Sequence, residues 1–204
     1  PRPASLDDFA IAILPVTLLD YAAFLDALAA ISPTEAEERT PRSERGEALL
    51  AMNGEGQFRP TTNALVPPDG APYSARAAGR LPAVGVTWDD AVAYARHLSA
   101  EGDHEFVLPT AMQWEKAARG VDARPFPWGD SWDPGFCNRA GSRPGPPRLD
   151  PVGTYGMDES VYGMRDACGG AREWCLDPLE GDHRACRGGD WTEPSGRSLA
   201  APLS

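Results

Sequence analysis

The sequence predicts one α+β domain with two main helices, short antiparallel strands and much irregular chain. Three observations carry this. Two amphipathic stretches begin at capping residues, Thr17 and Thr87, the pattern of helices packed along one face. Short apolar runs sit between turn residues and read as brief strands. Thirteen Gly and ten Pro fall in residues 121–204, which dictates turns and irregular connections there. A chain of 204 residues buries one sizeable core, so residues 1–204 are read as a single domain. The start at Pro1 instead of Met suits a segment of a longer protein.

In chain order, Phe9 to Val16 alternates apolar residues and reads as a strand. Thr17 then caps a helix, with Asp20 three residues on and Val16 and Tyr21 placed as a hydrophobic staple. Leu18, Tyr21, Ala22, Leu25 and Leu28 form its apolar face. Ser32-Pro33-Thr34-Glu35 starts a second, short acidic helix that stops before Pro41. Residues 41–80 are polar and punctuated by Gly and Pro, and read as a long loop. Thr87 caps the next helix, with Trp88, Ala91, Val92, Ala95 and Leu98 inward. Phe106 to Leu108 is a short strand or extended entry. Thr110 and Gln113 form a capping box, and Gly120 supplies a left-handed stop. Val152 to Tyr155, Glu173 to Leu176 and Ala185 to Arg187 are short strand candidates.

Bulk composition excludes several functions. A net charge of −11 without a long basic run repels phosphate backbones, so no nucleic-acid partner is expected. No apolar run has membrane-spanning length and no signal peptide is recognisable, so a cytoplasmic location without membrane contact is expected. Cys137, Cys168, Cys175 and Cys186 show no C-x-x-C spacing and are read as reduced, mostly buried thiols. His97, His104 and His183 are scattered and read as solvated or structural.

All six tryptophans follow residue 87, and they mark a series of motifs. Val86-Thr87-Trp88-Asp89-Asp90-Ala91 comes first, then Leu108-Pro109-Thr110 with Trp114-Glu115-Lys116-Ala117-Ala118-Arg119-Gly120. Pro127-Trp128-Gly129 follows. Tyr162-Gly163-Met164-Arg165-Asp166 runs on to Gly169-Gly170-Ala171-Arg172-Glu173-Trp174, and Arg187-Gly188-Gly189-Asp190-Trp191 closes the series. With Pro15-Val16-Thr17, this order resembles the formylglycine-generating (sulfatase-modifying) enzyme domain, a variant of the C-type lectin fold. The resemblance implies that fold. Trp88, Trp114, Trp174 and Trp191 each follow a cap or glycine turn on an apolar face or strand and are read as mainly core residues. It also implies a copper-binding cysteine pair beyond the RGG-x-W motif, yet no cysteine follows Cys186. No catalytic residue, no redox chemistry and no metal ligand is therefore expected. A structural calcium ion is implied at the "GN-x-x-E" segment. Glu173 matches its carboxylate, but Gly170 removes the asparagine oxygen, so no cofactor is expected.

Two branches fit this pattern. Glu115 to Asp130 and Ser160 to Asp166 are worded like domains fused to bacterial serine/threonine kinases. The tail from Thr192 to Leu203 stands where variable proteins of diversity-generating retroelements carry their binding surface. The expected function is thus a non-catalytic module for a protein or small-molecule ligand. The alternatives are a formylglycine-generating oxidase acting on a sulfatase cysteine, and a structural domain that assembles with a neighbour. Asp190, Thr192, Glu193, Ser195 and Arg197 follow the Gly-Gly turn, with Pro194 and Gly196 between, and read as an exposed loop or ribbon. An ordinary solvated tail explains the same residues. The resemblance sets this segment beside the family's active-site cleft and makes it, with Trp132 and Tyr155, the candidate ligand-binding surface.

Overall fold

The computed structural model describes residues 5–61, 70, 72–122 and 124–194. Helix α1 (Leu18–Ala29) begins at its predicted cap: Thr17 Oγ1 accepts the Asp20 N–H at 3.2 Å, and Asp20 Oδ2 accepts the Thr17 N–H at 3.0 Å. Leu18, Tyr21, Ala22, Phe24 and Leu25 are its buried face. Helix α2 (Pro33–Glu38) follows the Ser32 cap. The segment read as a long loop holds three elements instead. Strands β1 (Leu50–Met52) and β2 (Phe58–Pro60) pair antiparallel, and helix α3 (Ala75–Gly79) follows. The hairpin closes because Asn53 Oδ1 accepts the N–H groups of Glu55 and Gln57, with Gly56 at a φ of 76°. It docks on α1 through Leu50 and Phe58, and Asp26 Oδ1 accepts the Phe58 N–H at 2.6 Å.

Helix α4 (Trp88–Glu101) carries the reciprocal Thr87–Asp90 cap, and helix α5 (Ala111–Arg119) the Thr110–Gln113 cap. Gly120 ends α5 at a φ of 76°. A 3-10 turn spans Pro134–Phe136. Strands β3 (Glu173–Pro178) and β4 (Arg184–Arg187) form the second antiparallel pair, one or two residues longer than predicted.

Two predicted strands are corrected. Phe9 to Val16 is extended but unpaired as a strand. Its polar groups are met singly, Ile13 O by Arg165 N–H and Val16 O by Ala83 N–H. Val152 to Tyr155 is a turn, because Gly153 takes a φ of 74° and its N–H donates to Asp166 Oδ2 at 2.5 Å. Phe106 to Leu108 is an extended entry, not a strand.

Apolar side chains gather in two clusters. One joins Leu18, Tyr21, Leu25, Leu50, Phe58 and Leu81, and the other surrounds Trp114 with Phe126, Cys137, Met164, Cys168 and Cys175. Hydrogen bonds tie the chain between them: Trp88 Nε1–H to Cys175 O at 2.9 Å, Trp174 Nε1–H to Val86 O at 3.1 Å and Val152 N–H to Arg80 O at 2.9 Å. Trp114 is fully buried, as expected. Trp88, Trp174 and Trp191 are only half-buried, which corrects the core reading. The indole N–H of Trp88 and of Trp174 crosses the α4–β3 seam to a carbonyl, and Arg184 stacks 4.4 Å above the Trp88 ring. An aromatic with a polar handle settles at such a boundary.

Candidate functional site

The predicted tail begins where β4 delivers Arg187 to two glycines, and their neighbours show why glycine is needed. A Cβ on Gly188, whose φ is 85°, would press on Ala167 O at 3.1 Å and the Trp114 ring at 3.4 Å. A Cβ on Gly189 would collide with the Arg139 guanidinium and with Cys168 O. The Arg139 side chain is only 2% exposed. Its Nε–H donates to Cys168 O at 2.7 Å, its guanidinium lies 5.9 Å from the Trp132 ring centroid, and its Nη1 is 3.2 Å from Glu193 Oε2. A buried guanidinium requires such partners.

From this anchor the loop is built by ion pairs. Asp190 Oδ1 accepts the Thr192 N–H at 2.8 Å, the Thr192 hydroxyl at 2.5 Å and the Glu193 N–H at 3.1 Å. Arg172 Nε lies 3.3 Å from Asp190 Oδ2, and its Nη2 pairs with Glu193 Oε1. The Glu193 carbonyl accepts the Ala140 N–H at 3.0 Å. Four of the predicted residues, Trp132, Asp190, Thr192 and Glu193, thus lie in one chain of contacts joined by Arg139 and Arg172. Asp190 and Glu193 are not free side chains, whereas Thr192 is exposed. Ser195 and Arg197 lie outside the described residues.

Tyr155 stands apart from that chain. Its hydroxyl donates to Asp150 Oδ2 at 3.1 Å and accepts from Arg143 Nη2 at 2.9 Å, while Arg143 also pairs with Asp150. Burial raises the pKa of this phenol, against the Arg143 charge. The network lines a cleft with Pro15, Pro82, Asn138 and Asp166, of about 10 Å³, room for one water. The Asn138 side-chain amide nitrogen is sealed without a hydrogen-bond partner. The cleft wall includes Gly170, whose carbonyl accepts the Trp191 N–H at 3.2 Å, so cleft and loop share a backbone wall.

The thiols are chemically quiet. Cys137, Cys168 and Cys175 are buried and Cys186 half-buried, all four free. Burial pushes Cys175 up to about 12 and Cys186 up to about 11, away from the thiolate form that nucleophiles and soft metals need. Among the described residues no three His, Cys, Asp or Glu side chains gather as a metal site. Glu173 Oε1 is sealed without a well-formed hydrogen bond, and so is Trp114 Nε1. Burial drives the Glu173 carboxyl up to about 7, only partly opposed by the Trp114 indole N–H. Asp158 is fully buried and held well above the usual carboxylate range by burial.

Sequence reasoning missed Arg139, Arg172, Asn138 and Asp150. Arg172, just before the Glu173-Trp174 pair, carries no periodic signal. Arg139 carries no local signal either; the two glycines after Arg187 say only that something bulky passes close by.

A family model described as the sulfatase-modifying factor enzyme 1-like domain matches residues 1–202. The chain belongs to that family. It is 29% identical to the mouse inactive C-alpha-formylglycine-generating enzyme 2, over 94% of this chain and 66% of that protein. It is 32% identical to the formylglycine-generating enzyme of Thermomonospora curvata, over 51% of this chain and 36% of that enzyme. A serine/threonine-protein kinase, pkn1 of Chlamydia pneumoniae, is 30% identical over 54% of this chain and 19% of the kinase. The chain therefore spans less than two thirds of these relatives' lengths. In structure it matches the crystal structure of CarF with a TM-score of 0.57 at 21% identity, covering 92% of this chain and 76% of CarF. The fold is the C-type lectin-like fold of this family, as the motifs predict.

Proposed function

We propose that this domain is a non-catalytic binding module for a protein or small-molecule ligand, most simply the sensor of a bacterial signalling kinase. The observation that carries the reading is the state of the loop after Trp191. Glu193 is paired with Arg139 and Arg172, and none of the residues from Arg187 to Ser204, where the resemblance puts the copper pair, is a cysteine. A carboxylate placed between two guanidiniums is a poor host for Cu(I), which selects thiolates. The mouse relative named inactive and the kinase relative add support. Diversification of the tail, as in retroelement variable proteins, is the second form of the same reading and rests on where the tail falls. We place the module in the cytoplasm as one domain; among the described residues no helix is long and apolar enough to cross a membrane.

No cofactor belongs to this reading. Calcium takes six to eight oxygens. Glu173 supplies one sealed carboxylate, Gly170 has no side-chain oxygen, and the Trp114 indole N–H, a donor, acts on that same carboxyl. The residues present do not fit the ion.

The test is a Cu(I) titration followed by incubation with a cysteine-containing sulfatase peptide. The expected result is no thiolate-to-copper absorption and no formylglycine in the peptide mass spectrum. Stoichiometric Cu(I) binding with peptide oxidation would establish the oxidase instead. For the surface, the domain is screened against a peptide and glycan array, and every binder is retested with Thr192→Ala, Glu193→Ala and Arg197→Ala. Unchanged binding by all three moves the site elsewhere.

A further inference from the structure

Two segments cross beneath the 189–194 loop. The Gly170 N–H donates to Asn138 O at 2.9 Å, and a Cβ on Gly169 would come within 2.5–2.8 Å of Asn138 N, C and O. Cys137 precedes the crossing on one segment and Cys168 on the other. Both side chains are fully buried in the Trp114 cluster, and the Cys137 thiol lies close enough to act on the ionisation of Cys168. Further hydrogen bonds fix each backbone. The Cys168 N–H donates to both Asp158 oxygens at 3.1 Å and its carbonyl accepts from Arg139 Nε, while the Cys137 carbonyl accepts from Ser142 Oγ. The other two cysteines are placed differently. Cys186 stands opposite Trp174 across the β3–β4 ribbon, whereas Cys175, the next residue of β3, is buried in the core. Neighbouring positions on a strand point to opposite faces.

From this crossing we propose that Cys137 and Cys168 are a disulfide-forming pair, closed by a low-molecular-weight disulfide while the chain folds. The Cys168 thiolate attacks one sulfur of oxidised glutathione, forming a mixed disulfide and releasing one glutathione thiolate. The Cys137 thiolate then attacks the Cys168 sulfur, and the second glutathione thiolate leaves. The two protons given up by the cysteines end on the two released thiols, so the protein loses two hydrogens and the oxidant gains them. Burial sets the timing. In the folded chain the Cys168 thiol is held far from ionisation by the neighbouring Cys137 thiol and by burial, and both sulfurs are sealed from solvent. In the unfolded chain both thiols ionise normally and meet the oxidant. Folding brings these two together and then shields the bond from reductant. In a reducing compartment the pair stays as two thiols.

The test refolds the full chain from urea, once with oxidised and reduced glutathione and once with dithiothreitol. Oxidative refolding should lower the intact mass by two hydrogens and join the peptides carrying Cys137 and Cys168 in a tryptic map. Cys175 and Cys186 should remain alkylatable after denaturation. The closed loop between residues 137 and 168 should raise the thermal midpoint by roughly 6–12 °C over the dithiothreitol sample. Cys137→Ala and Cys168→Ala should each abolish the cross-link and the rise, and Cys175→Ala should keep both. If either alanine variant fails to fold, the map of the unmodified chain decides alone. Four alkylatable thiols after oxidative refolding, or a cross-link joining any other pair, would overturn the proposal.

Discussion

Replacing Glu173 by Gln should make the domain more stable at alkaline pH. The Glu173 carboxyl moves from 4.5 to about 7 in the folded chain because burial opposes its charge and only the Trp114 indole N–H helps to hold it. The folded state therefore keeps the proton to higher pH than the unfolded state does. Stability from this group is fully present below about pH 4.5, declines as pH rises from there, and is lost once pH passes about 7. At about 1.4 kcal/mol per pH unit the loss is at most about 3 kcal/mol. Gln keeps the shape and the neutral state but cannot ionise. The assay is urea unfolding of both proteins from pH 4.5 to 8.5. The two curves should nearly coincide at the acid end and diverge by up to about 3 kcal/mol at the alkaline end, with the Glu173→Gln variant the more stable. Asp158 also has a raised value, but it titrates in both proteins and cancels in the difference. The charge of Asp166, by contrast, repels the Glu173 carboxylate, and relief of that repulsion contributes to the alkaline gain of the Gln variant. Parallel curves would refute the reasoning. So would a calcium-induced rise in the midpoint of the unmodified protein at pH 8 that Glu173→Gln removes, since that result assigns the carboxylate to an ion.

Other substitutions probe the packing and the loop. Trp114→Ala removes the fully buried centre of the second cluster and should cost about 3–5 kcal/mol by chemical denaturation. Gly189→Ala forces a Cβ into Arg139 and Cys168 O and should cost about 1–3 kcal/mol, with faster proteolysis of the 189–194 loop. Glu193→Ala leaves the buried Arg139 guanidinium without its carboxylate and should cost about 3 kcal/mol. Arg172→Ala, whose side chain is 42% exposed, should change stability by less than about 1 kcal/mol. A larger loss for Arg172 than for Glu193 would show that the outer ion pairs, not Arg139, hold the loop.

What the sequence disclosed was mostly local. The caps at Thr17, Thr87 and Thr110 were legible because each pairs with a residue three positions on, and all three form. Hairpin β1–β2 was not legible. Its strands have three residues each, too short for alternation to show, and Asn53, Glu55 and Gln57 have the loop composition that their turn requires. The half-buried tryptophans were misjudged because large apolar area alone suggests the core, whereas the indole N–H seeks a carbonyl at a boundary. At the site, the Gly-Gly turn was readable and Arg139 was not. That contact joins residues distant in sequence, and nothing local to Asn138-Arg139-Ala140 announces it.

The ion-pair chain also sorts the predicted ligand residues by what each remains able to do. Asp190 spends one oxygen on Thr192 and Glu193 and directs the other to Arg172. Glu193 gives its two oxygens to Arg139 and Arg172. Both carboxylates are engaged by these ion pairs, so both act as framework on the proposed reading. Thr192 and Pro194 are exposed, and the Arg172 guanidinium is partly open to solvent. These are the groups the framework presents. A loop fixed by a buried guanidinium loses little conformational entropy on binding, which favours recognition by a preformed surface over folding around the ligand. Loosening that framework should therefore weaken binding even where the contacting residues are intact. Comparing Gly189→Ala with Thr192→Ala against any binder found on the array separates the two roles. A preformed surface requires that Gly189→Ala, which touches no ligand, impair binding at least as much as Thr192→Ala. If Gly189→Ala binds like the parent while its loop is cleaved faster, the loop is not preformed by Arg139 and the contact surface lies outside it.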